Sequence, residues 1–301
     1  MTVHGETAVV PTVTEDEAHK VLKKYTRVSN KANVEFDAEL NSTVETGVLG
    51  SIDEAGLKSH KKVKPEGDPG YKKLKLTDVN LLIPQQAGWP KHFVADTHSS
   101  RAPAGRRWVY LFQRENAESG WKASYLLSVK EEVMPEFAKD KEGYAEPLSA
   151  NDDSTLVPPE KLSQSYVTFL RDGGDNYAEG EYTHELRTKR DQTAKRNKNV
   201  TTEWTDTPAK PPQFEPYGLR TKGGGAFVFV ASHHTSVQTV RKGVKLNIPP
   251  LVRAMMSGTP QRTVTYVRIA ESGVMVPPRS ESDGKLSVIG LNDGMTSAEG
   301  K

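Results

Sequence analysis

The chain of 301 residues contains no cysteine. That excludes disulfides, thiolate metal sites and cysteine nucleophiles, and it does not choose a compartment. No run of about 18 apolar residues occurs, so no helical membrane span is expected. Neither charge sign dominates: 41 Lys and Arg stand against 39 Asp and Glu, a net charge of +2. A balance of this kind argues for solubility and against a dedicated polyanion binder. Basic runs occur at Lys58 to Lys64, at Lys72, Lys73 and Lys75, and from Arg187 to Lys198. None carries the interleaved aromatic residues that nucleic-acid stacking requires, so they read as solvated faces and no nucleic-acid partner is expected. A polar start, Met1 to Glu6, shows no signal peptide. It is expected to be either a cytosolic start or a chain trimmed of its leader.

Catalytic and cofactor signatures are also missing. There is no Walker A loop, dinucleotide fingerprint, Gly-x-Ser-x-Gly elbow or His-Glu-x-x-His pair, and no cofactor is expected. Gly223-Gly224-Gly225 precedes a predicted strand, not a helix, so it reads as a tight hairpin turn and not as a phosphate cradle. His233 and His234 are adjacent on a predicted strand. They point to opposite faces and cannot share one metal ion without a bulge.

The residues that are present predict an α+β protein of two units. Mean hydropathy is −0.63 and 35% of residues are hydrophobic, which suits two small domains with much surface. Four Trp, ten Tyr and eight Phe are enough to build packed cores. Thr14-Glu15-Asp16-Glu17 has the form of a capping box. Apolar steps of three and four from Ala18 to Leu40 then draw one helical stripe, with a possible break near Ser29-Asn30. Residues 47–70 are polar and rich in Gly and Lys, and are expected to be loop with a short helical turn. Four strands with turn signals follow, from Leu74 to Val129. A stretch rich in Pro, Asp and Ser, 147–159, is predicted as a linker. The second unit is expected to hold helices over 159–172 and 176–198 and then strands to Leu291. The boundaries are a first domain over 14–146, the linker, and a second domain over 160–295.

Two short segments recur in order. Phe93-Val94-Ala95 with its polar tail returns as Phe229-Val230-Ala231, and Ala117-Glu118-Ser119-Gly120 returns as Ala270-Glu271-Ser272-Gly273. Repetition of this kind predicts a duplicated unit. The unequal spacing of the two pairs predicts an insertion in the second copy, with 244–260 as the candidate. Helices followed by a curved antiparallel sheet, twice in tandem, resemble the NTF2-like (cystatin-like) superfamily. More narrowly, the chain resembles uncharacterised actinobacterial lipoproteins with two such domains. The residues carrying this are Phe93-Val94-Ala95, Gly120-Trp121-Lys122 and Ile289-Gly290-Leu291-Asn292-Asp293-Gly294. The resemblance implies an exported, extracytoplasmic protein, held to the membrane only through a lipidated cysteine upstream of this chain. A cytoplasmic location is the alternative.

Function is less legible than fold. On a strand, Asp96 shares a face with His98, an arrangement that could serve as an acid/base pair. The matching positions of the second copy are Ser232 and His234. Of the aromatics Trp89, Trp108, Tyr110, Phe112, Trp121 and Tyr125, most are expected in the core. Trp89, in a loop between Gly88 and Pro90, is the candidate anchor for a partner or ligand. Met255 and Met256, in the candidate insertion, are a weaker one. They could equally cap the second core or pack between the domains. The leading expectation is a non-catalytic protein that binds a protein or small ligand at the cell envelope. The alternatives are an enzyme using Asp96 and His98, and a cytosolic dimeric accessory protein.

Overall fold

A computed structural model describes residues 8–196 and 198–301. Of the lead-in expected over 1–13, residues 1–7 lie outside the described residues, and Val10–Pro11 (β1) pairs with Gln85–Gln86. Thr14 caps the first helix, Glu15–Glu35 (α1), accepting from the Glu17 amide at 3.2 Å. Glu17 does not reach back to complete the box: its carboxylate accepts instead from Trp121 Nε1 at 3.1 Å. The predicted stripe is buried at Ala18, Leu22, Tyr25 and Ala32. Phe36, in a left-handed conformation at φ 52°, ends the helix. Asp37 then caps Ala38–Ser42 (α2).

Gly47–Val63 (α3) is a full helix where a loop with only a short helical turn was expected. Three glycines give it poor intrinsic propensity. Its stability comes from tertiary packing of Val48, Leu49, Ile52 and Leu57, which no local pattern announces.

The strands of the first half are Leu76–Leu82 (β2), Gln85–Gln86 (β3), Lys91–Ser99 (β4), Arg106–Arg114 (β5) and Lys122–Lys130 (β6). After Pro147–Leu148 (β7), the second half begins with Pro159–Asp172 (α4) and His184–Arg196 (α5). It continues through Val200–Pro208 (β8), Tyr217–Arg220 (β9), Ala226–Val240 (β10), Pro250–Met255 (α6), Met256–Gly258 (β11), Thr263–Val276 (β12) and Ser287–Gly300 (β13). The three glycines 223–225 form the β9–β10 turn, as expected.

The larger sheet has eleven strands, ordered β2-β4-β5-β6-β13-β12-β10-β9-β7, with β8 also beside β10 and β11 beside β13. The last strands of the two halves, β6 and β13, meet in the middle through one pair, Gly290 and Val129. Close approach there depends on small residues. A Cβ on Gly273 would come within 2.8 Å of Leu127 Cδ1 and 2.7 Å of Phe227 Cε2. Glu271, fully buried, accepts from the Leu126 amide at 2.9 Å and from Asn292 at 2.6 Å. Its carboxylate thereby satisfies a β6 amide across the seam.

Three apolar cores result. One lies between α1 and the first-half sheet, around Tyr25, Phe93 and Phe112. One lies under α4, around Tyr166, Phe169 and Val228. The third is shared by both halves and joins Val94, Leu111 and Tyr125 to Tyr217, Phe227 and Phe229. The halves therefore share an apolar core, with the Glu271 carboxylate bridging the seam beside it. Nor is 147–159 a free linker: β7 pairs with β9.

The short sequence repeat is not a structural equivalence at side-chain level. Phe93 and Ala95 face the helices of their own half, whereas Phe229 and Ala231 face the shared core. The segments occupy comparable strands, β4 and β10, one residue out of phase, and a slip of one reverses every side chain. The second pair differs more. Ala117 to Gly120 form the β5–β6 turn, while Ala270 to Gly273 lie inside β12. The segment 244–260 contains α6 and β11, between β10 and β12.

Candidate ligand-binding cleft

The loop before β4 folds on itself. Gln86 Nε2 donates to the Pro90 carbonyl at 2.5 Å, and the Lys91 ammonium donates to the Gln86 carbonyl. This leaves Trp89 37% exposed, with Lys91 Nζ 5.8 Å and the Arg114 guanidinium 5.6 Å from its ring centre. Strand alternation then turns His92 to the same side as Val94, toward the second half. There its ring lies 4.5 Å from that of Tyr217, tilted by 30°. Tyr217 begins β9 and is 8% exposed.

Between these groups lies a cleft of about 680 Å³. Its walls bring together Trp89, His92 and Tyr125 of the first half with the 147–152 and 212–217 segments. Three buried polar atoms in this wall have no partner among the described residues: Tyr217 Oη, His92 Nδ1 and Gln86 Oε1. Orphans of this kind cost about 1–3 kcal/mol each, so their clustering at one cleft is informative. Burial pushes the His92 imidazole down to about 4, which keeps it neutral near pH 7. Tyr125 Oη donates to the Glu215 carbonyl at 3.1 Å. The volume and the mixture of aromatic and sparse polar groups match small-molecule sites in general.

Trp89 lines this cleft; Asp96, His98, Met255 and Met256 do not. Asp96 is 6% exposed and is held by Arg107, which also binds Asp78 Oδ2 at 2.7 Å. Burial pushes the Asp96 carboxyl above its ordinary range, opposed in part by Arg107. His98 Nε2 turns away to Glu131 Oε1 at 3.0 Å. The two share a face but each has another partner. Met255 ends α6 and Met256 opens β11, both half-buried. α6 packs on α3, where Ser59 Oγ donates to the Leu251 carbonyl and Lys62 Nζ to that of Ala254 at 2.9 Å.

The helix-facing polar pair is the one in the second half. Ser232 Oγ lies 2.9 Å from His234 Nε2, and His234 Nδ1 lies 2.5 Å from Asp206 Oδ1. Asp206 also accepts from Arg190 Nη1 at 2.6 Å, and the Arg190 guanidinium lies 4.4 Å from the Trp204 ring centre. Ser–His–Asp order is the geometry of an activated nucleophile. Ser232, however, is 1% exposed and His234 5%. The chain is therefore a sealed charge network that fixes α5 to β8 and β10. Asp206 escaped the sequence reading. Its signal was its register on β8, directly opposite His234. His233, on the other face, meets Phe214 at 5.3 Å.

A smaller cavity of about 310 Å³ lies between α1, α3 and the first-half sheet. Asp53 and Arg101 line it. Behind it, Glu45 accepts from Tyr25 Oη at 3.0 Å and Asn41 Nδ2 at 2.5 Å. Burial and the neighbouring Asp53 charge push the Glu45 carboxyl well up, and burial pushes that of Asp53 to about 6. The contact between the two carboxyls raises that of Glu45 further and draws that of Asp53 partly back.

The chain belongs to the family described as a domain of unknown function, DUF8094. That family's profile matches residues 9–300. An uncharacterized lipoprotein of Streptomyces avermitilis is 37% identical over 300 residues, covering 99% of this chain and 90% of the relative. The uncharacterized lipoprotein SCO2278 of Streptomyces coelicolor is also 37% identical over 300 residues, covering 99% and 89%. A second protein of that species, the uncharacterized lipoprotein SCO6871, is 25% identical over 301 residues, covering 96% and 83%. No solved structure matches the chain. No helix among the described residues is long and apolar enough to cross a membrane.

Proposed function

We propose that this chain is the globular part of an exported, lipid-anchored envelope protein that binds a ligand in the 680 Å³ cleft without transforming it. The observation that carries the reading is the cluster of unpartnered polar atoms on Tyr217, His92 and Gln86 in the cleft wall. The names of the Streptomyces relatives support the export and the anchor. We also propose that the two halves are tandem NTF2-like units. This is supported by the order of elements, helices then antiparallel strands in each half, and by the central meeting of β6 with β13.

Ala150 lines the cleft, so Ala150→Trp sets an indole into it and obstructs it. A thermal-shift screen of soluble metabolites and cell-wall fragments should yield a compound that stabilises the wild type and not the obstructed variant. Hits that stabilise both proteins equally, or a screen with no hit, would count against the cleft.

A further inference from the structure

We propose that the cleft is specific for an organic cation, a ligand presenting an ammonium or guanidinium group between Glu115, Glu215 and the aromatic wall. The proposal rests on the ligand-binding reading above and adds the chemical class.

Charge is the first argument. Three carboxylates line the cleft, those of Glu115, Glu215 and Asp152, and none of its lining residues is Lys or Arg. Asp152 is already committed, with Arg220 Nη2 at 2.6 Å. Glu115 and Glu215 are exposed, and no ion pair to either is found among the described residues. Their field favours a cation inside the cleft, set against the Lys91 and Arg114 charges beside Trp89 at its mouth. His92, kept neutral by burial, adds no opposing charge near pH 7.

Hydrogen-bonding capacity is the second argument, and it is independent of charge. Three donors in the wall are spent inside the protein. Gln86 Nε2 serves Pro90, Gln113 Nε2 serves Glu115 Oε1 at 2.6 Å, and Tyr125 Oη serves Glu215. What remains is rich in acceptors: Gln86 Oε1 and the two carboxylates. Tyr217, 8% exposed with its hydroxyl unpartnered, can accept as well. The two open carboxylates favour a ligand that brings N–H donors, while the Tyr217 hydroxyl, a donor as well as an acceptor, can meet a further polar group.

Aromatic surface is the third. Tyr125, Tyr217 and Trp89 line one cleft, and ring faces attract cations, more strongly where water is excluded. Trp89 already attracts Lys91 and Arg114 at the mouth. Both are held elsewhere, Lys91 by the Gln86 carbonyl and Arg114 by the carbonyls of Ser119 and Ala117. They leave the inner wall to the ligand.

Three probes separate the possibilities: agmatine as the cation, maltotriose as a neutral donor, and citrate as an anion. Binding is read by calorimetry on wild type, Ala150→Trp and the Glu115→Gln/Glu215→Gln double variant. Both glutamates are exposed, so the double variant should fold normally. Agmatine should bind the wild type, lose its heat in Ala150→Trp, and weaken about tenfold in the double variant. Its affinity should also fall as NaCl is raised from about 50 to about 500 mM. Agmatine binding that is absent, or indifferent to the double variant, overturns the cation proposal. If maltotriose or citrate binds instead and is blocked by Ala150→Trp, the cation class is overturned while the cleft remains a ligand site. If no probe and no screened compound engages the cleft, the ligand-binding reading falls as well.

Discussion

Replacing Asp53 by asparagine should stabilise the protein at neutral pH and do little in acid. The reason is linkage. In the unfolded chain the Asp53 carboxyl titrates at its ordinary 3.8, whereas burial raises it to about 6 in the fold despite the hydrogen bond from Glu45 and the Arg101 charge. The folded state thus holds the proton more tightly. Stability contributed by this group is fully present below 3.8 and is lost as pH rises through about 6. The full gap corresponds to roughly 3 kcal/mol, at about 1.36 kcal/mol per tenfold change in proton affinity. The introduced amide would mimic the protonated acid, and its oxygen could still accept from Glu45.

The wild-type pH profile alone would mislead. His92 is lowered from 6.5 to about 4, so its contribution has the opposite sign and fades as pH falls across an overlapping window. The difference between variant and wild type removes His92 and isolates Asp53. Urea denaturation of both proteins at about pH 4 and about pH 7.5 is the assay. The advantage of Asp53→Asn should be larger at the higher pH by about 2 kcal/mol, the full gap less the part already expressed in acid. Equal differences at the two pH values, or a larger one in acid, would refute a buried carboxyl pair sharing one proton.

Two further expectations concern the second half. Asp206→Ala strands Arg190, whose side chain is 11% exposed, and should cost about 3–5 kcal/mol by chemical denaturation. The intact protein should meanwhile leave Ser232 unlabelled by a fluorophosphonate, since that hydroxyl is sealed; labelling seen by mass spectrometry would reopen catalysis. Gly273→Ala at the seam between the halves drives a methyl into Phe227 and Leu127 and should cost about 1–3 kcal/mol. An unchanged melting temperature would mean that the seam yields more easily than its packing implies.

Several elements were readable locally. The Thr14 cap, the α1 stripe and the alternating strands from Leu76 to Lys130 are short-range signals, and they appear where the pattern puts them. Trp89 stood out because a large aromatic between Gly and Pro has no strand or helix to pack in, and it lies at the rim of the cleft. α3 was hidden because its stability lies in contacts with β6, β12, β13 and α6, not in its own sequence. The recurrence of Phe-Val-Ala did not reveal that its two copies face different cores. Only pairing partners reveal which face each copy presents.

By itself the sequence determined the α+β class, the position of the helix cap, the hairpin at Gly224 and the absence of thiol chemistry, because each depends on neighbours within a few residues. The tertiary structure alone decided the rest. It joined the two halves into one sheet at Gly290, buried the Ser232–His234–Asp206 chain, and set Tyr217 against His92 from the other half of the chain. Such meetings depend on how three cores pack against one another, and no local periodicity carries that information.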